Sequence, residues 1–178
     1  MSEPVAAEKL CLACGLCCNG VIFADVQLQD GDDATQLRTL GLRLKGSALR
    51  NPRSEFKKFS QPCAAHDGCR CHIYSARPKY CREFECALLK KVFSRHVQPD
   101  AALRVIQSAK QRAERVRKLL RQLGDVDESR PLSQRFRRTR KRIEAGVIDE
   151  ETSDLFGQLT LAVHDLNVCL SQNFYPGE

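Results

Sequence analysis

The chain has no tryptophan, and three tyrosines and eight phenylalanines in 178 residues, so its core has to be built from aliphatic side chains. No apolar run approaches the roughly 18 residues that a membrane-spanning helix needs. Residues 1–9 lack the basic and apolar regions of a secretory leader, and a cytoplasmic protein is expected. No glycine-rich dinucleotide or S-adenosylmethionine loop follows a strand-like stretch, and no C-x3-C-x2-C radical signature occurs. Nothing therefore names a nucleotide cofactor or a catalytic residue. Residues 143–178 contain no lysine or arginine but seven acidic residues, whereas residues 95–142 hold 15 basic and 5 acidic ones. The overall +7 is thus a basic block followed directly by an acidic one. Two readings are open: a surface for nucleic acid, or two helices that neutralise each other.

What the chain has in quantity is cysteine. Four thiols fall within eight residues, Cys11, Cys14, Cys17 and Cys18, and a second knot holds Cys63, Cys69, Cys71, Cys81 and Cys86. In a reducing compartment so dense a pattern points to metal or redox chemistry rather than to a disulfide framework. C-x2-C loops are also too tight for ordinary structural disulfides and suit chelation. The C-x2-C-x2-C run is the opening of a bacterial-type 4Fe–4S ligand set, whose fourth thiolate comes from elsewhere in the chain. Gly15 relieves crowding where the backbone passes close to such a centre. Cys17 and Cys18 are adjacent and point in different directions, so they are not expected to bind one metal atom. Zinc is the competitor, because C-x2-C with Cys69 and Cys71, or with Cys71 and Cys81, makes a tetrahedral thiolate site. His66 and His72 lie in the second knot and could ligate, but thiolates alone suffice and the two are read as loop histidines. Arg77, Arg82 and Tyr74 are candidate groups around the centre. Arginine donors beside cluster sulfurs stabilise their negative charge; the alternative for Arg77 and Arg82 is surface pairing with Glu83 or Glu85.

The remaining pattern is mostly helical. Residues 21–28 read as a strand, and Asp32 or Asp33 as the cap of a short helix ended by Gly41. Residues 42–61 read as loop with one strand, anchored by Leu42, Leu44, Phe56 and Phe59. Pro78 opens a helix to Phe93 with Tyr80, Phe84, Leu88 and Val92 on one face. Ala102, Ile106, Ala109, Ala113, Val116, Leu120 and Leu123 form a heptad seam ended by Gly124. Pro131 opens a second helix, with Phe136 and Ile143, and Asp149 a third, with Leu155, Leu159, Ala162, Leu166 and Cys169. That seam makes Cys169 a core side chain rather than a ligand.

Taken together, Cys11-x2-Cys14-Gly15-x-Cys17-Cys18, then Cys63, then Cys71-x-Ile73-Tyr74-x2-Arg77-Pro78-x2-Cys81-Arg82-x-Phe84 resembles the CxxCxxCC cysteine-cluster family, also called the YkgJ family, a zinc- or iron-chelating domain. The resemblance covers residues 8–90. It implies a bacterial cytosolic metal-binding domain, and the flagellin lysine methylases are among the family members with an assigned activity. Cys69 and Cys86 lie beyond that shared pattern.

The expectation is a mainly α protein. Residues 1–94 form a small cysteine-rich module with little regular structure beyond a short strand pair. Residues 95–178 form a helical hairpin or three-helix bundle. The expected ligands are Cys11, Cys14, Cys17, Cys18, Cys63, Cys71 and Cys81, with Cys69 and Cys86 as further candidates. They hold an iron–sulfur cluster, 4Fe–4S before zinc, for a redox, sensing or structural role that brings a redox or protein partner. The alternatives are a methylase-like modification enzyme and a zinc-stabilised nucleic-acid binder using the basic 130–142 helix, the latter less favoured. No membrane partner is expected.

Overall fold

The computed structural model describes residues 3–45, 58–68 and 70–175, with side chains in the first helix from Lys9 onward. Phe56 and Cys69, both named above, lie outside the described residues. The described chain is mainly α, in the order α1 (Glu3–Cys14), β1 (Asp25–Gln27), α2 (Ala34–Thr39), β2 (Leu44–Lys45), β3 (Lys58–Ser60), a 3-10 turn (Tyr74–Ala76), α3 (Lys79–Glu83), α4 (Ala87–Phe93), α5 (Pro99–Gln122), α6 (Leu132–Glu144) and α7 (Glu150–Asn173). These elements form two compact units. A helical unit comprises Met1–Cys14, Glu85–Glu128 and Leu132–Glu178, and a sheet unit comprises Gly15–Phe84 and Ser129–Pro131.

In the helical unit every residue of the predicted α5 seam is buried, from Ala102 to Leu123. Burying a stripe of small and aliphatic side chains lets α7 lie along α5, where Leu159, Ala162, Leu166 and Cys169 meet it. Asp149 caps α7 by accepting from the Thr152 N–H at 2.7 Å, and hydrogen bonds from the Thr152 side chain first and its N–H second hold the carboxyl below the usual carboxylate range. Gly124, at φ +79°, ends α5 in the left-handed conformation that glycine adopts without strain. The α4 start is tied to the α7 end by the Ala87 N–H donating to Phe174 O at 3.1 Å. Helix α1 also packs on α5, and Lys110 Nζ donates to the Ala13 carbonyl in its last turn at 3.0 Å. A cation there satisfies a carbonyl that has no partner within the helix.

The sheet unit is built on three short antiparallel strands in the order β1-β3-β2, with Val26 opposite Phe59 and Leu44 opposite Phe59 on the other side. Val26, Leu37, Leu42, Phe59, Ala65 and Ile73 form its core, and Cys63, Cys71, Tyr80 and Cys81 pack against that core. Asp33 caps α2 by accepting from the Thr35 and Gln36 N–H groups, both at 2.9 Å.

Two differences from the sequence reading bear on the site. Residues 3–14, read as part of a module with little regular structure, are helical. The single helix expected from Pro78 to Phe93 is two helices, because Phe84 and Cys86 are extended at ψ 121° and 161°. An i+4 apolar repeat runs through both pieces, yet the rings and the aliphatics serve different surroundings. Tyr80 and Phe84 stack on each other at 5.8 Å and meet Phe23 edge-on at 5.7 and 4.9 Å. Leu88 and Val92 are buried in the helical unit.

Candidate metal centre

The first knot is a helix end followed by a turn. Cys11 and Cys14 occupy the last turn of α1, and a spacing of three puts them on one face. Gly15 follows at φ +65°, and the Cys18 and Asn19 N–H groups both donate to its carbonyl at 3.0 Å. The chain therefore reverses between Cys14 and Cys18, and the side chain of Leu16 is fully buried. A Cβ on Gly15 would stand 3.2 Å from both Cε1 and Nε2 of His66. The glycine is required twice over, by its backbone angle and by the imidazole against it.

That imidazole belongs to the second knot. The Cys63 N–H donates to the Cys18 carbonyl at 2.8 Å, which fastens the second knot to the first turn. From Cys63 the chain passes through Ala65 and His66, and His66 bridges Cys71 in an antiparallel pair. The His72 N–H returns to Ala65 O at 2.8 Å and the His66 N–H to Cys63 O at 3.0 Å. His66 Nδ1 accepts from the Gly68 N–H at 3.3 Å. A neutral ring accepting at Nδ1 carries its proton on Nε2, the atom beside Gly15. His72 faces away, with Nε2 3.2 Å from Asp67.

The thiols of the sheet unit feel one another. Burial pushes Cys81 up from an ordinary 9.0 to about 12, with Cys18, Cys63 and Cys71 adding to the rise and the Arg77 guanidinium opposing it. Burial raises Cys63 too, a hydrogen bond from Ala65 offsets part of this, and Cys71 adds to it. Tyr80 is raised by burial, then by Cys17 and Cys81. Among the described residues no three His, Cys, Asp or Glu side chains are gathered at metal-holding spacing. The five thiols share one electrostatic neighbourhood without yet sharing one point.

Of the predicted site residues, Cys17, Cys18, Cys63, Cys71, Cys81, Tyr74, Arg77 and Arg82 belong to the sheet unit, and Cys11, Cys14 and Cys86 to the helical unit. Cys63, Cys71, Cys81 and Cys86 carry free thiols. Arg77 lies over the Tyr74 ring, its Cζ 3.7 Å from the centroid, and donates to Tyr74 O at 3.0 Å. Arg82 donates to Arg77 O at 3.0 Å. Among the described residues neither makes an ion pair with Glu83 or Glu85. One residue near the thiols, Tyr80, escaped the sequence reading of the centre and was assigned only to a helix face. His66 was weighed there as a ligand and read instead as a loop histidine. The signal for Tyr80 was its place immediately before Cys81.

Several thiols packed on one small core suit chelation, and the wider comparison agrees. The family described as "CxxCxxCC: Putative zinc- or iron-chelating domain" matches residues 10–111. The chain belongs to this family. No curated protein and no solved structure matches it significantly. No helix among the described residues is long and apolar enough to cross a membrane.

The raised Cys81 value gives a pH dependence with a definite sign. Below about pH 9 the thiol is protonated whether the chain is folded or not, so its contribution is fully present. As pH rises toward 12 the unfolded chain loses this proton while the folded one keeps it, and stability falls. Metal-free protein is therefore expected to lose more thermal stability between pH 8 and pH 10.5 than metal-free Cys81→Ala. Parallel melting-temperature curves for the two proteins would contradict the burial assigned to this thiol.

Proposed function

We propose that this protein holds an iron–sulfur centre, 4Fe–4S in type, whose four thiolates are drawn from Cys17, Cys18, Cys63, Cys71 and Cys81 together with Cys11 and Cys14. The observation that carries this reading is the packing of Cys63, Cys71 and Cys81 against one small core, with the Cys63 N–H bonded to the Cys18 carbonyl at 2.8 Å. With no cation, their burial opposes ionisation. A bound metal reverses that balance, because a coordinated thiol gives up its proton outright. Cys11 and Cys14 enter the set on their sequence spacing, C-x2-C-x2-C, which suits a cubane better than an isolated zinc ion.

The surrounding side chains fit such a centre. Tyr80, Phe84 and Phe23 form an aromatic group, and Tyr80 packs with Cys63, Cys71 and Cys81 against the sheet-unit core. Arg77 supplies positive charge toward Cys81, which offsets the anionic character of a thiolate set. His66 presents an N–H at the turn between Cys14 and Cys17, a donor for sulfur rather than a ligand. When bound, the cluster supplies one-electron transfer, and a redox, sensing or structural role follows from how exposed it is. A reducing cytoplasm keeps these thiols available for it.

Metal analysis with a visible spectrum on anaerobically purified protein tests the reading. Iron with acid-labile sulfide and broad absorbance near roughly 400 nm is the expected result. Colourless protein with stoichiometric zinc would overturn the cluster and leave a structural thiolate site in its place.

A further inference from the structure

The basic helix α6 offers a second surface, independent of any metal. Its inward face is Leu132, Arg135, Thr139 and Ile143, all buried. Arg137, Arg138, Arg140 and Lys141 occupy the opposite side and are exposed or nearly so. The competing explanation for this basic run is neutralisation by the acidic last helix. Among the described residues no ion pair joins α6 to α7. Arg138 reaches Asp127 at 3.4 Å and Arg140 reaches Glu144 of its own helix at 2.7 Å. Arg137 and Lys141 have no hydrogen-bond or ion-pair partner among the described residues.

We propose that the exposed face of α6 binds the phosphate backbone of double-stranded nucleic acid without reading sequence. Arg137 and Lys141 stand one helical turn apart, about 6 Å between their Cβ atoms, close to two rises of a strand at 3.4 Å each. The Arg138 and Arg140 pairs are exposed on both partners, and such pairs hold weakly enough for phosphate to displace the carboxylate. A duplex is chosen over a single strand on two grounds. Phe136, the aromatic residue of α6, is half-buried and stacked with Phe156 at 6.5 Å, so this face has no ring on which a base stacks. A surface of charge alone also favours the denser charge, which in a duplex is one per roughly 1.7 Å.

The test is fluorescence anisotropy of the full-length protein with a labelled 20-base-pair duplex of mixed sequence. Four phosphate contacts predict a salt slope of about −3.6, so affinity falls roughly a hundredfold between 50 and 200 mM salt. The double variant Arg137→Gln/Lys141→Gln should bind more weakly and show a slope smaller by about 2. Both positions are exposed, so unchanged circular dichroism confirms that the variant is folded. Three results overturn the proposal: no duplex binding at 50 mM salt, a salt slope unmoved by the double variant, or tighter binding of the single strand. Equal binding of a polyglutamate peptide overturns it too, and assigns the face to acidic proteins.

Discussion

Cys81→Ser is expected to lose most of its metal and to loosen the sheet unit, while Cys169→Ser keeps its metal unchanged. Burial raises the Cys81 thiol most, Cys18, Cys63 and Cys71 add to the rise, and Arg77 opposes it. Serine at this position offers a hydroxyl that does not ionise near neutral pH and is a poor substitute for a soft ligand. The consequence reaches beyond the site because the core beside it is small, six buried residues with Cys63, Cys71 and Cys81 packed against them. Structural zinc in finger peptides contributes roughly 10–16 kcal/mol of apparent binding free energy, and where metal organises a small module that energy is folding energy. Loss of metal should thus appear with lost protection of sheet-unit amides in hydrogen exchange. Cys169 is the control. It is buried in the α7 seam of the helical unit, and its serine costs about 1–3 kcal/mol for an unpaired hydroxyl with no change in metal. Full metal content in Cys81→Ser would refute the proposed ligand set.

How much of this was legible in the residues depends on whether a pattern had one meaning or two. The α5 seam had one: seven apolar residues at heptad spacing and a glycine at the end, and all seven are buried. Asp149 before two glutamates likewise has one, a capped helix start, and its carboxylate accepts from Thr152. The C-x2-C at Cys11 and Cys14 had two. It suits a chelating turn, but three-residue spacing also stacks thiols on a helix face, and α1 takes that form. The Tyr80–Phe84–Leu88–Val92 repeat also had two, since a spacing of four is kept whether one helix runs through or two are joined at an extended Phe84.

At the site, the thiols could be named from spacing, but their environment could not. Tyr80 looks like any core ring until it is found packed with Cys63, Cys71 and Cys81 against one core. His66 looks like a loop histidine until Gly15 is found under its imidazole. Both depend on the Cys63 N–H to Cys18 O bond, which joins residues 45 apart in sequence. No local pattern carries that distance.

The basic run hides the largest such case, and it carries the second expected effect. Among the six cations of α6, Arg135 reads as surface charge, yet it is 2% exposed. Its Nε donates to Asp125 Oδ1 at 2.8 Å and its Nη2 to Asp125 O at 2.9 Å, with Glu128 at 3.7 Å from Nη1. Asp125 is itself buried, just after Gly124 ends α5. The pair therefore fixes how the chain leaves α5 and where α6 begins. Replacing Arg135 by methionine keeps the stem's bulk but leaves the Asp125 carboxylate buried with no cation, a change that costs about 3–5 kcal/mol. Lysine should recover only part of this, because one ammonium cannot reach carboxylate and carbonyl with the planar fork of a guanidinium. Removing both charges, Arg135→Met with Asp125→Leu, should cost less than the two single changes added together, with a coupling of about 0.5–3 kcal/mol in a double-mutant cycle. Urea unfolding followed by circular dichroism measures all four proteins. A loss under about 1 kcal/mol for Arg135→Met would mean that water reaches Asp125 and that Arg135 belongs with the surface cations after all.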